Sequence, residues 1–514
     1  MALWKDRCFT PEQIREAERI AMTERGIKES ELIAQAAKNL EEFVASHCEG
    51  PVAVLAGRGN NGADAKQAAE YLAKRGMDVE IFDIAACTEA PEIVWGNYKT
   101  VLDGMFGIGL NREVTGVYKD VTNSLNAARS DDLFVVSVDV PSGIDAKTGA
   151  VLGTAVQADV TITFTAKKTG LSLYPGRIHA GRCIVADAGV PADTFTGDGY
   201  RILSEPQILP ARDPMGHKGT FGKIILIAGS ETGPGAAVLC AKACYRSGAG
   251  LCKLVTPKEV LPVLLSEAPE TVYCERKRFL ADPAKEMQGY GVRLIGPGLG
   301  TDTEAKQLLH AFFEKAPDDK AVSILDADAL NLLSAELTET TTEGRIRELA
   351  KILPKRCIVT PHMMELSRLL GMSVSEIAKD RVKIGLLWAS LTDVVLVMKD
   401  AATVIAGDGT LAFNETGNNG MGTAGSGDVL AGILAALSNE ACRKNLTPAE
   451  CANAAVALHG TAGDLAASDL GCRSLTAGDL VRYIPRALGK SAAPEKGTEL
   501  KKWGNPESAA LPDF

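Results

Sequence analysis

Residues 420–432 read Gly-Met-Gly-Thr-Ala-Gly-Ser-Gly-Asp-Val-Leu-Ala-Gly and lead directly into an apolar run of helical period that ends at Leu437. Glycines let the backbone approach a ligand closely, and the unpaired N–H groups of a first helical turn bind anions. Asp428 lies where those N–H groups converge, and taken alone it is equally well explained as a helix cap. A cap needs one Asp or Ser, however, and not five glycines within thirteen residues. The stretch therefore predicts a phosphate cradle with a carboxylate base.

This stretch resembles the anion-hole signature of ribokinase-like enzymes, in which the Asp of Gly-Ser-Gly-Asp removes a proton from the substrate hydroxyl. A narrower resemblance is to the ADP- or ATP-dependent NAD(P)H-hydrate dehydratases. His-Lys-Gly-x-x-Gly begins at His217, and Gly-Pro-Gly-Leu-Gly, Asp-Ala-Asp-Ala-Leu-Asn and Pro-His-x-x-Glu follow in that family's order. The family usually has Pro-His-x-Gly-Glu, so Met364 is a minor departure.

Composition limits the class of protein. The chain has 514 residues, which predicts two domains or more with substantial cores. A formal net charge of −10 without a long basic run argues against nucleic acid as a partner. The N-terminal residues form no apolar signal core, and no run of about eighteen uncharged apolar residues occurs, so we expect no membrane span. The twelve cysteines include no Cys-x-x-Cys pair, which favours reduced thiols in a cytoplasmic protein over zinc.

Residues 10–47 predict two helices, the first with Thr10 as its N-cap and Pro11 at its first helical position. The sheet of the first half then begins with a strand–loop–helix–strand pattern. A short buried strand over residues 52–56 is followed by a glycine loop over 57–64, a helix over 65–75 and a second strand near 79–84. This is the βαβ unit of a parallel sheet, whose loop lies at the carboxyl end of the strand, where such sheets bind ligands. Two later strands also end in carboxylates. Each feature alone is explained by a turn, but three polar strand ends at one sheet edge favour a site.

Three motifs in this half resemble the NAD(P)H-hydrate epimerase domain: Asn-Asn-Gly-x-Asp, Asp-x-x-Phe-Gly-x-Gly and Val-Asp-x-Pro-Ser-Gly-x-Asp. The resemblance implies that a potassium ion is held by Asn61, Asp103 and Ser142. It also implies that the hydrated cofactor is bound by Asn60, Asn61, Gly62, Ala63, Asp64, Gly107, Ile108, Gly109, Leu110, Asn111, Arg112, Glu113 and Asp139. The family usually has a lysine in the region of Lys167 and Lys168, and the resemblance does not decide between them.

One departure from the epimerase pattern affects the glycine loop. Where the family usually reads Asn-Asn-Gly-Gly-Asp-Gly, this chain has Ala63 and Ala65 at two of the glycines. A Cβ in a loop that contacts phosphate can block a positive φ or crowd the ligand. The sequence therefore leaves open a first domain that binds without catalysing.

In the second half, predicted strands again place polar residues at their carboxyl ends, which favours a doubly wound sheet with one long active-site edge. Asp326 and Asp328 end one strand and either serve the structure or order magnesium-bound water. His362 and Glu365 at a helix start are better explained by capping or ligand contact than by zinc, because no third His or Cys is near. Lys399 suits a nucleotide phosphate, or is simply an exposed strand-end lysine.

The dehydratase resemblance implies more specific roles. Adenine-nucleotide contacts would come from Lys399, Asp400, Ala401, Ala402, Thr403 and Gly427. The hydrated cofactor would contact Ala236, Gly300, His362 and Asp428, with Asp428 as the general base. Magnesium would accompany ADP, which we prefer to ATP because the domain order and fused layout look bacterial.

The predicted fold class is α/β with two domains. A Rossmann-like domain covers residues 1–203, a ribokinase-like domain covers 204–490, a linker lies near 195–212, and a polar disordered tail covers 491–514. The predicted function is repair of the hydrates NADHX and NADPHX, with epimerisation of the R and S forms in the first domain and ADP-dependent dehydration of the S form in the second. We expect a homo-oligomer. Two alternatives remain: a small-molecule kinase of the same fold, for example for a vitamin alcohol, and a binding-only first domain.

Overall fold

The computed structural model describes Trp4 and residues 6–206, 214–314, 320–444 and 446–491. Two sheets organise these residues, and each is covered by helices on both faces. The predicted α/β class is thereby confirmed. No helix in the described ranges is both long and apolar enough to span a membrane.

Elements up to residue 203 alternate strands and helices. In chain order they are β1 (Arg7–Phe9), α1 (Pro11–Glu24), α2 (Glu29–His47), β2 (Val52–Ala56), α3 (Asn60–Lys74), β3 (Val79–Asp83), β4 (Thr100–Gly104), α4 (Gly116–Ala127), β5 (Phe134–Val138), β6 (Val160–Phe164), β7 (Lys167–Lys168), α5 (Gly176–Ala180), β8 (Arg182–Ala186) and β9 (Tyr200–Leu203).

The second half continues the alternation. Its elements are β10 (Lys223–Ile227), α6 (Pro234–Arg246), β11 (Leu251–Thr256), α7 (Leu261–Glu267), β12 (Val272–Glu275), α8 (Arg276–Ala281), α9 (Pro283–Met287), β13 (Val292–Ile295), α10 (Thr303–Glu314), β14 (Val322–Leu325), α11 (Asp328–Glu336), α12 (Thr342–Ile352), β15 (Cys357–Val359), α13 (Met363–Leu370), α14 (Val374–Lys379), α15 (Arg381–Leu391), β16 (Val395–Met398), β17 (Val404–Gly407), β18 (Thr410–Asn414), α16 (Ser426–Lys444), α17 (Pro448–Leu470) and α18 (Ala477–Ser491).

The first sheet has six parallel strands in the order β3-β2-β4-β5-β6-β8. Alternate residues of β2 enter different cores: Val52 and Val54 pack with α2 and α3, whereas Ala53 and Leu55 pack with α4. Because both faces are buried, the strand is a continuous apolar run rather than an alternating one.

The second sheet has twelve strands in the order β12-β11-β10-β13-β14-β15-β16-β17-β18-β9-β1-β7. Its strands from β12 to β16 are parallel, and β17 and β18 form an antiparallel hairpin. In β10, Ile224 and Leu226 face the core under α6 and α16, and Ile225 and Ile227 face the core on the opposite side. The sheet is therefore doubly wound, and its parallel strands end at one edge.

One edge of this second sheet comes from the first part of the chain. Strand β9 pairs with β18 on one side and with β1 on the other, and β1 pairs with β7. The prediction of a linker over 195–212 is wrong for residues 200–203, which form β9. A run of four residues carries no period of its own, and it becomes a strand because two distant strands supply its hydrogen bonds. Residues 207–213 lie outside the described ranges.

Glu415 ties the two halves together beside this shared edge. Its Oε1 accepts hydrogen bonds from Lys167 Nζ and Ser172 Oγ, both at 2.6 Å, and its carbonyl accepts one from Arg177 at 2.6 Å. The side chains of Lys167 and Glu415 are only 10% and 14% exposed. This is a buried ion pair between residues 248 positions apart.

Helix boundaries confirm some predictions and correct others. Thr10 caps α1 in a capping box with Pro11 at the first helical position, as predicted. Helix α3 begins at Asn60, five residues before the predicted start at Ala65, so the asparagines lie in its first turn. Helix α18 extends to Ser491, within the predicted tail, and residues 492–514 lie outside the described ranges.

Candidate active sites

A cavity of about 520 Å³ opens at the carboxyl edge of the first sheet. Its lining comes from the loops after β2, β4 and β5, from the end of β6, from β7, and from α1. The lining residues are Arg15, Glu18, Arg58, Gly59, Asn60, Asn61, Asp64, Phe106, Gly107, Ile108, Gly109, Leu110, Asn111, Arg112, Asp139, Phe164 and Lys168. The first turn of α3 contributes to the wall, so its free N–H groups are available to an anionic ligand.

Asn61 lines this cavity, and the buried residues Asp103 and Ser142, which the resemblance groups with it, are connected to it through the backbone of Phe106. The Asp103 carboxylate is fully buried and accepts hydrogen bonds from the Ser142 hydroxyl at 2.5 Å and the Ser137 hydroxyl at 2.8 Å. Burial raises the pKa of Asp103, and these hydrogen bonds oppose the rise. The Asn61 amide nitrogen donates to the carbonyls of Phe106 at 2.7 Å and Val138 at 2.8 Å. The cluster thus concentrates oxygen atoms around Asn61.

The structure distinguishes the two adjacent lysines. Lys168 is 1% exposed, lines the cavity, and forms an ion pair with Asp139. Asp139 also accepts hydrogen bonds from the Phe164 N–H at 3.0 Å and the Thr163 hydroxyl at 3.1 Å. Lys167 instead extends to Glu415. Of the pair, Lys168 is therefore the residue placed to meet a ligand.

Ala63 and Ala65, which stand where the family usually has glycine, do not line the cavity. Ala63 and Ala65 lie inside α3, and neither is among the non-glycine residues with positive φ. Ala65 is fully buried, and a Cβ added to Gly104 would come within 2.5 Å of its methyl group. Gly62 and Glu113, like the two alanines, are absent from the lining. We expected a methyl group to crowd the ligand because the sequence predicted a loop up to residue 64, whereas Ala63 and Ala65 both lie in α3.

Sequence reasoning missed two lining residues from α1, Arg15 and Glu18. The helix itself was predicted, but no local pattern indicates which sheet edge one of its faces will meet. Burial, with Asp139 and Glu18 nearby, raises the pKa of Asp64 to about 8. Burial also raises the pKa of Glu18. The cavity therefore holds two carboxyl groups that resist ionisation.

A second cavity, of about 510 Å³, lies at the carboxyl edge of the second sheet between the segment after β16, the end of β18, and α16 and α17. It is lined by His362, Lys399, Asp400, Ala401, Thr403, Asn414, Thr416, Gly417, Asn418, Asn419, Met421, Gly422, Ser426, Gly427, Leu430, Val456, His459 and Gly460. The predicted nucleotide residues thus lie together, except that Ala402 is buried behind the wall. The segment 414–419 and the α17 residues were not predicted, because their place depends on packing between distant elements.

Lys399 carries the main positive charge of this second cavity. Its Nζ lies 2.6 Å from Asp326 Oδ1, and its backbone N–H donates to the Pro361 carbonyl at 2.9 Å. Burial would lower the pKa of Lys399, but Asp326 and Glu365 outweigh it and raise that pKa. The ammonium therefore stays charged near the start of α16, where a Cβ on Gly427 would lie 3.4 Å from it.

Asp428 lies in the first turn of α16, half-buried and next to the cavity lining. Burial and the Asp326 carboxylate raise its pKa to about 7, although Lys399 acts in the opposite direction. A carboxyl with this pKa exists in both forms near neutral pH, which suits a general base.

The glycines around Asp428 do not all serve the same purpose. Gly425 has φ of 89°, which favours glycine at the entry to α16. A Cβ on Gly432 would overlap the Cys240 carbonyl, so this glycine lets α16 pack closely on α6. Gly422 and Gly427 line the cavity. The prediction that all five glycines form a phosphate cradle is therefore wrong for Gly432.

His362 and Glu365 form a capping box at the start of α13. His362 Nδ1 accepts from the Met364 N–H at 3.1 Å, and Glu365 Oε2 accepts from the His362 N–H at 2.8 Å. Of the explanations left open, the capping role is confirmed, and His362 also lines the cavity. In the described part of the chain, no group of three or more His, Cys, Asp or Glu side chains could hold a metal ion.

Ala236 lies in the first turn of α6 and Gly300 in the loop after β13, and neither is in the lining of the second cavity. A Cβ on Gly298 would come within 2.8 Å of the Ala236 methyl group. The Gly300 N–H donates to Asp328 Oδ2 at 2.8 Å. These contacts extend the polar edge of the sheet from Asp326 towards the start of α6.

Comparisons with known proteins agree with this arrangement of two parallel-sheet units, each with a cavity at the carboxyl edge. A family model described as NAD(P)H-hydrate dehydratase matches residues 224–486, and one described as YjeF-related protein N-terminus matches 22–99 and 83–170. The bifunctional NAD(P)H-hydrate repair enzyme Nnr of Thermofilum pendens is 34% identical over 93% of this chain and 95% of its own length. That of Moorella thermoacetica is 33% identical over 93% and 96%.

The Escherichia coli protein of the same name is 31% identical over 85% of this chain and 84% of its own length. A solved ADP/ATP-dependent NAD(P)H-hydrate dehydratase from Bacillus subtilis, co-crystallised with ATP and Mg²⁺, is 31% identical over 55% of this chain and 95% of that chain, with a TM-score of 0.47. The fold and the two cavities define a two-site α/β enzyme. The chain belongs to the family of bifunctional NAD(P)H-hydrate repair enzymes, which confirms the resemblance found in its sequence.

Proposed function

We propose that this chain repairs hydrated nicotinamide cofactors at two sites. Residues 1–203 would interconvert the R and S epimers of NADHX and NADPHX. Residues 204–490 would dehydrate the S epimer to NADH or NADPH at the expense of ADP, with release of AMP and phosphate. The observation that carries the proposal is Asp428, a carboxyl with a pKa of about 7 at the start of α16, beside a cavity of about 510 Å³.

Dehydration begins at Asp428 in this proposal. Its ionised carboxylate takes the proton of the 6-hydroxyl, whose oxygen attacks the terminal phosphorus of ADP. The backbone N–H groups at the start of α16 hold the charge that develops on the phosphoryl oxygens. Phosphate leaves C6 far more readily than hydroxide does, and loss of a C5 proton restores the ring double bond.

The nucleotide would lie in the second cavity. Lys399, Asp400, Ala401, Thr403 and Gly427 line it, and the charged Lys399 is placed for a phosphate. Ala402 would support this segment from behind. The carboxylates of Asp326 and Asp328 fit a magnesium ion, which prefers one or two carboxylates together with phosphate oxygens. Magnesium would neutralise phosphate charge there. The hydrated ring would approach Asp428 from the side of Ala236, Gly300 and His362.

Epimerisation would take place in the first cavity. Asn60, Asn61, Asp64, residues 107–112 and Asp139 line it and would contact the dinucleotide. Gly62, Ala63 and Glu113 would shape this wall from behind. Because neither alanine lines the cavity, their presence in place of glycine gives no ground for a binding-only domain.

The oxygen cluster beneath the first cavity fits a potassium ion. The Asp103 carboxylate is fully buried among hydroxyl and N–H donors, and two carbonyls converge on the Asn61 amide. Carboxylate, carbonyl and hydroxyl oxygens are the ligands that hard cations prefer. Asn61, Asp103 and Ser142 would hold the ion, whose charge would fix the loops after β4 and β5.

The remaining parts of the proposal concern setting. The cysteines whose side chains the structure describes are free thiols, which supports action in a reducing cytoplasm. Association into a homo-oligomer stays a prediction. The division at residue 203 fits the two families of motifs, although β1, β7 and β9 join the second sheet.

Turnover of the S epimer with ADP tests the proposal. Reduced nicotinamide, phosphate and AMP are expected in equal amounts, and Asp428→Asn should lower the rate by about 100-fold or more. Asp282→Asn is the matched control, because the exposed Asp282 caps α9 through the Lys285 N–H and Asn caps equally well. A phosphorylated product that retains its phosphate would instead favour the kinase alternative.

A further inference from the structure

Three carboxyl groups meet in the first cavity from three separate elements. Glu18 lies on α1, Asp64 lies on α3, and Asp139 directly follows β5. Asp139 is held in place through its Oδ1, which accepts hydrogen bonds from Lys168, the Thr163 hydroxyl and the Phe164 N–H. In the part of the chain that the structure describes, neither the side chain of Glu18 nor that of Asp64 forms a hydrogen bond or a salt bridge. Two side chains in the lining are therefore free to exchange protons with a ligand.

The surroundings keep one proton on this pair near neutral pH. Burial, then Asp139 and Glu18, raise the pKa of Asp64 to about 8. Burial also raises the pKa of Glu18, and Lys168 opposes that rise. Two nearby carboxyl groups whose pKa values are separated by their environments form an acid and a base. Asp64, whose pKa is about 8, is the member that carries the proton near pH 7, and Glu18 is the partner left to accept one.

The distribution of charge in the cavity indicates which end of the dinucleotide lies here. The charges that act on Asp64 are those of Asp139, Glu18 and Lys168. Two arginines, Arg58 and Arg112, are not among them, although they line the same cavity together with the first turn of α3. A pyrophosphate is repelled by carboxylates and attracted by arginines and a helix N-terminus. The hydrated ring, which carries no phosphate charge, would accordingly lie beside Glu18 and Asp64.

We propose that Glu18 and Asp64 are the proton acceptor and proton donor of the epimerisation, an inference that rests on the proposed function of the first site. The reacting carbon, C6, carries both the hydroxyl group and the ring nitrogen N1. Glu18 takes the hydroxyl proton, the C6–N1 bond breaks to leave an aldehyde at C6, and Asp64 protonates N1.

Reclosure reverses the proton transfers. The aldehyde turns about the C5–C6 bond, and N1 attacks its other face to form the opposite epimer. N1 then returns its proton to Asp64, and the oxygen recovers its proton from Glu18. All atoms and electrons balance, and no oxidant or further reactant is needed. The Lys168–Asp139 pair lies beside the reacting groups and holds Phe164 and Thr163 in place.

The rate of epimerisation should depend on pH as a bell-shaped curve, because the reaction needs an ionised Glu18 and a protonated Asp64. The ascending limb reports ionisation of Glu18, and the descending limb, near pH 8, reports loss of the Asp64 proton. Further charged groups face the pair from every side and set both limbs. They are Arg15 on α1, Glu29 on α2, Asp139 after β5, Lys168 on β7, and Arg58 and Arg112 elsewhere in the lining of the cavity.

The test uses the full chain and follows conversion of pure R epimer to S epimer without ADP. Glu18→Gln and Asp64→Asn should each lower kcat by about 100-fold or more while KM changes by less than about threefold. Glu18→Gln should lose the ascending limb of the pH profile, and Asp64→Asn the descending limb. Added formate should restore part of the activity of Glu18→Ala.

Two controls keep the outcomes separate. Glu16→Gln makes the same change two residues away on the exposed face of α1, where Glu16 pairs with Arg19, and should leave the rate unchanged. Unchanged dehydration of the S epimer by ADP shows that each variant is folded. A Glu18→Gln protein with the wild-type rate and pH profile would overturn the inference. A wild-type protein that converts no R epimer would instead overturn the proposed function of the first site.

Discussion

The rate of dehydration should follow the ionisation of Asp428. Only the carboxylate form accepts the hydroxyl proton, and the pKa of Asp428 is raised to about 7 by burial and by Asp326. A group with this pKa is about 9% ionised at pH 6 and about 91% ionised at pH 8, so kcat should rise about tenfold over that interval. The rate should then level off above pH 8.

Asp326→Asn should move the midpoint of this profile to lower pH. The substitution removes a negative charge that disfavours ionisation of Asp428, and it leaves Lys399 free to stabilise the carboxylate. Asp282→Asn, which changes only the exposed cap of α9, should leave the midpoint unchanged.

The assay measures kcat for the S epimer at saturating ADP and magnesium from pH 5.5 to 9, from the absorbance of the reduced nicotinamide. The total rate of Asp326→Asn can fall for other reasons, because Lys399 loses its partner, so the midpoint is the decisive quantity. A midpoint that stays near 7 in Asp326→Asn, or a rate independent of pH in the wild type, would refute the assignment of Asp428 as base.

Further predictions concern the first site and the stability of the fold. Ala65→Gly should leave epimer interconversion within about twofold and lower the free energy of unfolding by about 1 kcal/mol, because the methyl group packs inside α3; a several-fold gain in rate would contradict this. Glu415→Ala should lower the free energy of unfolding in urea by about 3 kcal/mol or more, because Lys167 stays buried without a partner, and adding Lys167→Met should recover much of it; equal losses in both variants would refute the pair's role. Burial lowers the pKa of His459 from 6.5 to about 4. As the pH falls, His459 therefore takes up a proton in the unfolded chain before it does so in the folded one. The free energy of unfolding should fall by about 3 kcal/mol between pH 6.5 and 4. His459→Gln should flatten the pH dependence of Tm over that window, and an unchanged slope would contradict the assignment.

Local patterns predicted most of the elements that position the two sites. Strand β2 was evident as a short apolar run, and the capping of α1 followed from Thr10 and Pro11. The first turn of α16 was evident from Gly-Ser-Gly-Asp, because an anion site at a helix start requires residues that are close in sequence. Features built from neighbouring residues are accessible to such reasoning.

Features that depend on distant contacts were not accessible. Strand β9 forms because β1 and β18 flank it, and Glu18 enters the first cavity because α1 packs against loops more than forty residues away. The same reason explains the error over Ala63 and Ala65. Their place in a helix depends on α3 starting at Asn60, and the Asn-Gly pair that follows is more typical of a turn.

The most direct measurement incubates the purified protein with a mixture of both epimers of NADHX, ADP, magnesium and potassium, and follows the return of reduced nicotinamide. The account predicts complete recovery of both epimers, which should fall to the S fraction alone when Glu18 is replaced by Gln and vanish when Asp428 is replaced by Asn. Recovery of only the S fraction by the wild type would contradict the epimerase half of the account. No recovery with either ADP or ATP would contradict the central claim of cofactor repair.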